Sequence, residues 1–137
     1  MNKPTIRARL IEVQLPLAAP AGSEVPFPDQ NDLRGAVVTA VETFTADNIT
    51  FGPSGVPAIN STDATKLAVT LVENSVEKVK LIPYQSFNRA LNGGVVRQFR
   101  DLRPTYEQCT LRVVELLAAG SVETALIVVH YEYPSDK

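Results

Sequence analysis

His130 and Cys109 are the only histidine and the only cysteine in the chain, so proton-transfer or thiol chemistry would have to begin with them. A general acid–base role for His130 needs an orienting carboxylate and a pocket for substrate. The sequence suggests a sheet face shared with Glu132 and, across a hairpin, with Thr110 and Gln108. That reads as a sheet-surface histidine near a strand end. One histidine and one cysteine offer no spacing that supports a Ser–His–Asp or Cys–His arrangement. Cys109 alone can close no intrachain disulfide and build no multi-thiolate zinc site, and it reads as a small buried apolar side chain. No Gly-x-Gly-x-x-Gly, Walker, His-Glu-x-x-His or Cys-x-x-Cys pattern occurs. No pair of carboxylates stands out for glycoside chemistry. The expectation is therefore a non-enzyme, with no catalytic, cofactor-binding or metal-ligating residue assigned.

Two other features could hold a ligand. Asn92-Gly93-Gly94 could cradle an anion through backbone N–H groups, and the same tripeptide is also an ordinary turn. Arg97, Arg100 and Arg103 are spaced by three, with Arg89 upstream. A helix or an irregular segment would gather them on one side as a candidate phosphate contact, and so a candidate contact to nucleic acid. Asp101, Glu107 and a net charge of -2 argue instead for a solvated or salt-bridged face.

The elements that must position these residues read mostly as strands. In residues 6–15, Ile6, Ala8 and Leu10 alternate, and then Ile11, Val13 and Leu15 alternate in the opposite phase. A strand has a side-chain period of two, so this slip predicts a β-bulge at Leu10-Ile11. Residues 16–31 carry Pro16, Pro20, Gly22, Pro26 and Pro28. Proline gives no N–H to a ladder, so this segment is expected to be a long loop or arm and not a central strand. Residues 35–45 are rich in β-branched side chains and favour a strand, with a helix behind Asp32 as the other reading. Residues 46–65 read as loop, and the glycosylation-type patterns at Asn48 and Asn60 read as loop chemistry.

Residues 66–83 read as a hairpin about Ser75. Leu71 then faces Val79 and Val69 faces Leu81, with Thr70 opposite Lys80, Val72 opposite Lys78 and Glu73 opposite Glu77. Residues 84–103 fit either helix or strand. A last hairpin over residues 106–133, centred on Gly120, would pair Val113 with Ile127, Leu111 with Val129 and Cys109 with Tyr131. Residues 107–117 also fit a helix. Residues 125–129 are apolar on both faces, which predicts a central strand. The expected core is Val69, Leu71, Val79, Leu81, Leu111, Val113, Ile127 and Val129. The fold expectation is all-β, an antiparallel β-sandwich and single jelly roll, although only about six of the usual eight strands are legible.

A length of 137 residues fits one domain over 1–137 with its proline-rich arm at 16–31. Hydrophobic residues at 45% and charged residues at 20% form an ordinary globular balance and argue against disorder. No apolar stretch approaches a membrane span, and no secretory h-region follows the first residues. Several aromatics lie among breakers: Phe27 between prolines, Phe51 before Gly52-Pro53, and Tyr84 and Phe87 after Pro83. Such rings either plug the ends of a sandwich or dock on a neighbouring subunit, so Phe27, Phe51, Tyr84 and Phe87 are the candidate subunit-interface residues.

The proline-rich arm, the hairpin 67–82 closed by Pro83, the Asn92-Gly93-Gly94 turn and the terminal strand 125–133 together resemble a known layout. It is that of small single jelly-roll capsid, penton or accessory proteins of tailless bacteriophages. The resemblance is one of layout and rests on no sharp motif. It implies a virion structural protein, a shell, vertex or decoration subunit, that is located in the virion and assembles with itself and with other virion proteins. The alternative reading is a non-catalytic carbohydrate- or protein-binding sandwich, although the chain has no tryptophan to stack on a sugar.

Overall fold

The computed structural model describes residues 7–49, 53–94, 96–118, 120 and 122–133. Among them run eight strands: β1 (Arg7–Leu15), β2 (Glu24–Pro26), β3 (Val37–Phe44), β4 (Leu67–Glu73), β5 (Val76–Pro83), β6 (Arg97–Leu102), β7 (Thr110–Val113) and β8 (Glu123–Glu132). One α-helical turn, α1 (Ser61–Ala64), and four short 3-10 turns join them. Every strand pairing is antiparallel, in two four-stranded sheets ordered β1-β8-β3-β6 and β2-β7-β4-β5. The pairing is nested: β1 with β8, β2 with β7, β3 with β6, and β4 with β5. The pairs β3–β8 and β4–β7 then close each sheet. One apolar cluster lies between the sheets, with Ile11, Val38 and Ile127 from one and Leu71 and Leu111 from the other.

β1 keeps an unbroken register with β8 from Arg7 opposite Tyr131 to Leu15 opposite Glu123, so the expected bulge is absent. Ile11, Val13 and Leu15 face the core, whereas Leu10 is half-buried on the other face and Ala8 is exposed. The apparent phase slip was an apolar residue on the outward side. Residues 35–45 are the strand β3. The proline-rich segment contributes only β2, a three-residue edge strand ending at Pro26. An edge is where a missing N–H is tolerated.

The β4–β5 hairpin turns through Asn74 and Ser75, both at positive φ (49° and 66°). That is the conformation of a two-residue type I′ turn. Leu71 does face Val79, but Glu73 meets Val76, Val72 meets Glu77 and Val69 meets Ile82. Two register shifts lie between these pairs. The second brings Leu81 to φ 53° and leaves it 36% exposed, while Ile82 packs against the core in its place. The other seven expected core residues are buried.

The expected hairpin about Gly120 does not form. β7 lies between β2 and β4, and β8 lies between β1 and β3, so the two consecutive strands belong to different sheets. Leu111 and Val113 face the same core as Ile127 and Val129, but from the opposite wall. An alternating pattern is the same in both arrangements, which is why the sequence suggested direct pairing. Central placement of β8 agrees with its two apolar faces.

Two consequences can be measured by chemical denaturation. Leu111→Ala and Ile127→Ala should each lose roughly 2–5 kcal/mol of stability, from transfer energy plus a cavity. Leu81→Ala should stay within about 1 kcal/mol of the parent, because the side chain is largely outside the core. A large loss at Leu81 would restore the simple hairpin register.

Candidate functional site

Tyr84 and Phe87 sit in the 3-10 turn after β5 and are fully buried. The Tyr84 phenol oxygen accepts from the Leu126 N–H (3.0 Å) and lies 2.6 Å from the Phe44 carbonyl and 3.1 Å from that of Leu126. The Thr43 hydroxyl donates to the Tyr84 carbonyl (2.8 Å). A residue leaving one sheet is thereby fastened to the end of β3 and to the body of β8 in the other. Burial pushes the Tyr84 phenol well above its ordinary pKa, so it stays a neutral donor. Phe27 is also buried, and its N–H donates to the Cys109 carbonyl (2.9 Å).

Phe27, Tyr84 and Phe87 thus lie in the chain's own core, and this corrects the expectation that their rings dock on a neighbour. Each completes a sandwich that the strands alone do not fill. Phe51 lies outside the described residues. Cys109 is a buried thiol that burial pushes up to about 11, in keeping with the inert reading.

The arginine trio is not gathered on one face. Residues 97–102 form the strand β6, in which positions three apart point to opposite sides, so Arg97 and Arg100 diverge. Arg97 stacks over the Phe87 ring (5.3 Å). Arg103 pairs with Asp101 (3.6 Å), and its N–H donates to Glu73 (2.9 Å). Asn92-Gly93-Gly94 does form a turn, with Gly93 left-handed at φ 67°.

Sheet pairing does create two polar clusters that local spacing hides. On β3, the buried Glu42 receives Arg89 (2.8 Å) and the His130 Nε2 (2.6 Å) on one carboxylate oxygen. The carboxylate that His130 lacked is therefore present, whereas Thr110 lies in the other sheet and Gln108 in the 3-10 turn that precedes it. Arg89 balances the Glu42 charge, so the trio is a compensated ion cluster. Beside it opens a cavity of about 340 Å³ lined by Glu42, Phe44, Asn48, Asn88 and Arg89. The Asn88 amide donates to Asn48 (3.1 Å) and caps the Ala90 N–H (3.0 Å), so these groups serve the loops.

The second cluster joins α1, β8 and the crossover. Asn60 caps α1 by accepting from the Asp63 N–H (2.7 Å), and its own N–H and amide donate to Glu123 (2.9 and 2.8 Å). Asp63 receives Lys66 (3.2 Å) and the Ala118 N–H (3.0 Å). Burial, with the Asp63 carboxylate beside it, pushes Glu123 up to about 7. Among the described residues no group of His, Cys, Asp and Glu could hold a metal ion. The Asn60-x-x-Asp63 spacing of a helix cap was the one local signal of this cluster. Glu42 and Glu123 had none, because their partners are more than 40 residues away.

At the opposite end, Arg9 of β1 binds Asp32 and Gln30, and the Tyr133 hydroxyl donates to the Asp32 carbonyl (2.6 Å). The hydrogen bond from Arg9 lowers the Asp32 pKa. A polar cavity of about 460 Å³ lies nearby, lined in part by Asp29, Arg34, Glu73 and Arg103. Leu17, Val114 and Leu116 are exposed on two loops that an Ala19–Leu117 backbone bond holds together.

Two variants probe these clusters. The unfolded chain releases the Glu123 proton near 4.5 and the folded chain holds it to about 7. The folded state therefore binds the extra proton in between, and stability should fall as pH rises through that window. Glu123→Gln should flatten this part of the melting-temperature profile. Tyr84→Phe should cost about 1–3 kcal/mol by leaving buried backbone groups without their partner, read by denaturant unfolding. Compared with known proteins, the chain matches no family model, no curated protein and no solved structure.

Proposed function

We propose that this chain is a single jelly-roll structural subunit of a virus particle, acting by self-assembly and without catalysis. The observation that carries this reading is the strand order β1-β8-β3-β6 and β2-β7-β4-β5 with its nested pairs. Such an order follows from rolling one long hairpin of eight segments into two sheets, the winding of a jelly roll. Viral shell proteins, lectins and cupins share that architecture, so the site has to discriminate among them. A cupin reading would need metal ligands inside the sandwich. Here the interior is lined by residues such as Ile11, Val69, Leu111 and Ile127, and the one histidine is tied to Glu42 on the other face of the sheet. A sugar-binding reading has the cavity beside Glu42, with its aromatic ring and amides, but those amides serve loop contacts.

Static light scattering and negative-stain microscopy of the purified chain test the proposal. Oligomers or particles that grow with concentration are the expected result. A chain that stays monomeric throughout and binds a glycan array would favour the binding module.

A further inference from the structure

The edges of the two sheets differ in how they meet solvent. β5 and β6 each carry a non-glycine residue at positive φ, Leu81 at 53° and Asp101 at 57°, and each pairs irregularly with its neighbour. Bulges of this kind turn an edge away from an incoming strand. β2 is three residues long and ends in Pro26, a residue that blunts an edge. β1 carries none of these devices. It has nine residues, no proline, no positive φ and an unbroken register with β8. Among the described residues, none pairs its backbone with the outer side of β1. Every second residue of an edge strand points its N–H and C=O outward, so this is a regular template for another strand.

We propose that β1 pairs antiparallel with β1 of a second copy of this chain across a twofold axis, joining two four-stranded sheets into one. The charge pattern of the strand selects this occupant. Arg7 and Arg9 lie in the first half, and Glu12 is the one acid, in the second. Antiparallel self-pairing sets the basic half of one strand against the other half of its partner. Directly opposed residues share a sheet face, so the twofold passes through a residue position. At Arg9 it would oppose two arginines, and at Glu12 two carboxylates. At Leu10 it sets Ala8 opposite Glu12 and Arg9 opposite Ile11. At Ile11 it sets Leu10 opposite Glu12 and Arg9 opposite Val13. These two central registers place an aliphatic side chain at the axis and no like charges in opposition, whereas an axis at Ala8 opposes Arg7 to Arg9 and one at Val13 leaves the first half of the strand unpaired. Parallel in-register pairing would oppose all three charges to their like. The inference rests on the self-assembly reading and deepens it by naming the partner and the contact.

Sedimentation velocity of the full chain across the micromolar range provides the test. The parent should reach a dimer or a multiple of it. The double variant Leu10→Lys with Glu12→Lys opposes like charges in either register, Lys at 10 to itself or Lys at 10 to Lys at 12, and should weaken association by about tenfold or more while the dilute chain still unfolds cooperatively. Cysteine cross-linking reads the same contact without a charge change, because the native thiol is buried. Leu10→Cys should oxidise to a covalent dimer if the axis is at Leu10. Leu10→Cys mixed with Glu12→Cys should do so if it is at Ile11. Gln98→Cys, on the bulged β6 edge, should not. Cross-linking through 98 as readily as through 10 and 12, or none through 10 and 12, overturns the proposal. An oligomer that the double variant Leu10→Lys with Glu12→Lys leaves intact overturns the β1 contact alone and spares the assembly reading. A parent that is monomeric at every concentration overturns both.

Discussion

The structure depends on β8 being paired on both sides and covered on both faces. It is ten residues long, and five consecutive residues from Glu123 are buried. A strand in that position must give every backbone N–H and C=O to a neighbour, since an unpaired buried group carries a desolvation penalty. β1 supplies partners along nine residues and β3 along most of the other side. The other sheet then has one face on which to pack, and the inward residues of β4 and β7 fill it.

The polar clusters are consequences of that pairing. β8 carries Glu123 into the Asn60–Asp63 cap at one end and His130 toward Glu42 near the other. Between them its Leu126 backbone is bonded by the Tyr84 phenol. Buried polar groups need partners or they cost stability, and here the partners come from loops. Residues 84–92 and 57–66 are held in place largely by what they do for β3 and β8.

The same constraint leaves the sheets finite. An open β-sandwich ends in edge strands, and each must be blunted, covered or used. β2 is short and ends in proline, while β5 and β6 are kinked at Leu81 and Asp101. β1 is straight because its inner side must follow β8 without interruption, and this same regularity makes its outer side a template. In the assembly reading, the strand that completes one sheet within the chain also extends it between chains.

How much of this was legible in the sequence follows from the range of the interactions involved. Period-two burial is local, so the all-β class, β3, the β4–β5 hairpin, the central character of β8 and seven of the eight expected core residues could be read directly. Proline chemistry is local too, and it kept residues 16–31 out of any sheet centre. Which strand lies beside which is not local. The patterns of β7 and β8 suit one hairpin or two facing walls equally well, because alternation records which side faces the core and not who the neighbour is. Leu81 was misplaced because a bulge inserts a residue without changing composition. Phe27, Tyr84 and Phe87 could plug the sandwich or dock on another copy, and only the volume left between the closed sheets decided for the plug. Glu42 with His130, and Glu123 with Asp63, meet across chain separations that only the pairing and packing of distant segments bring together.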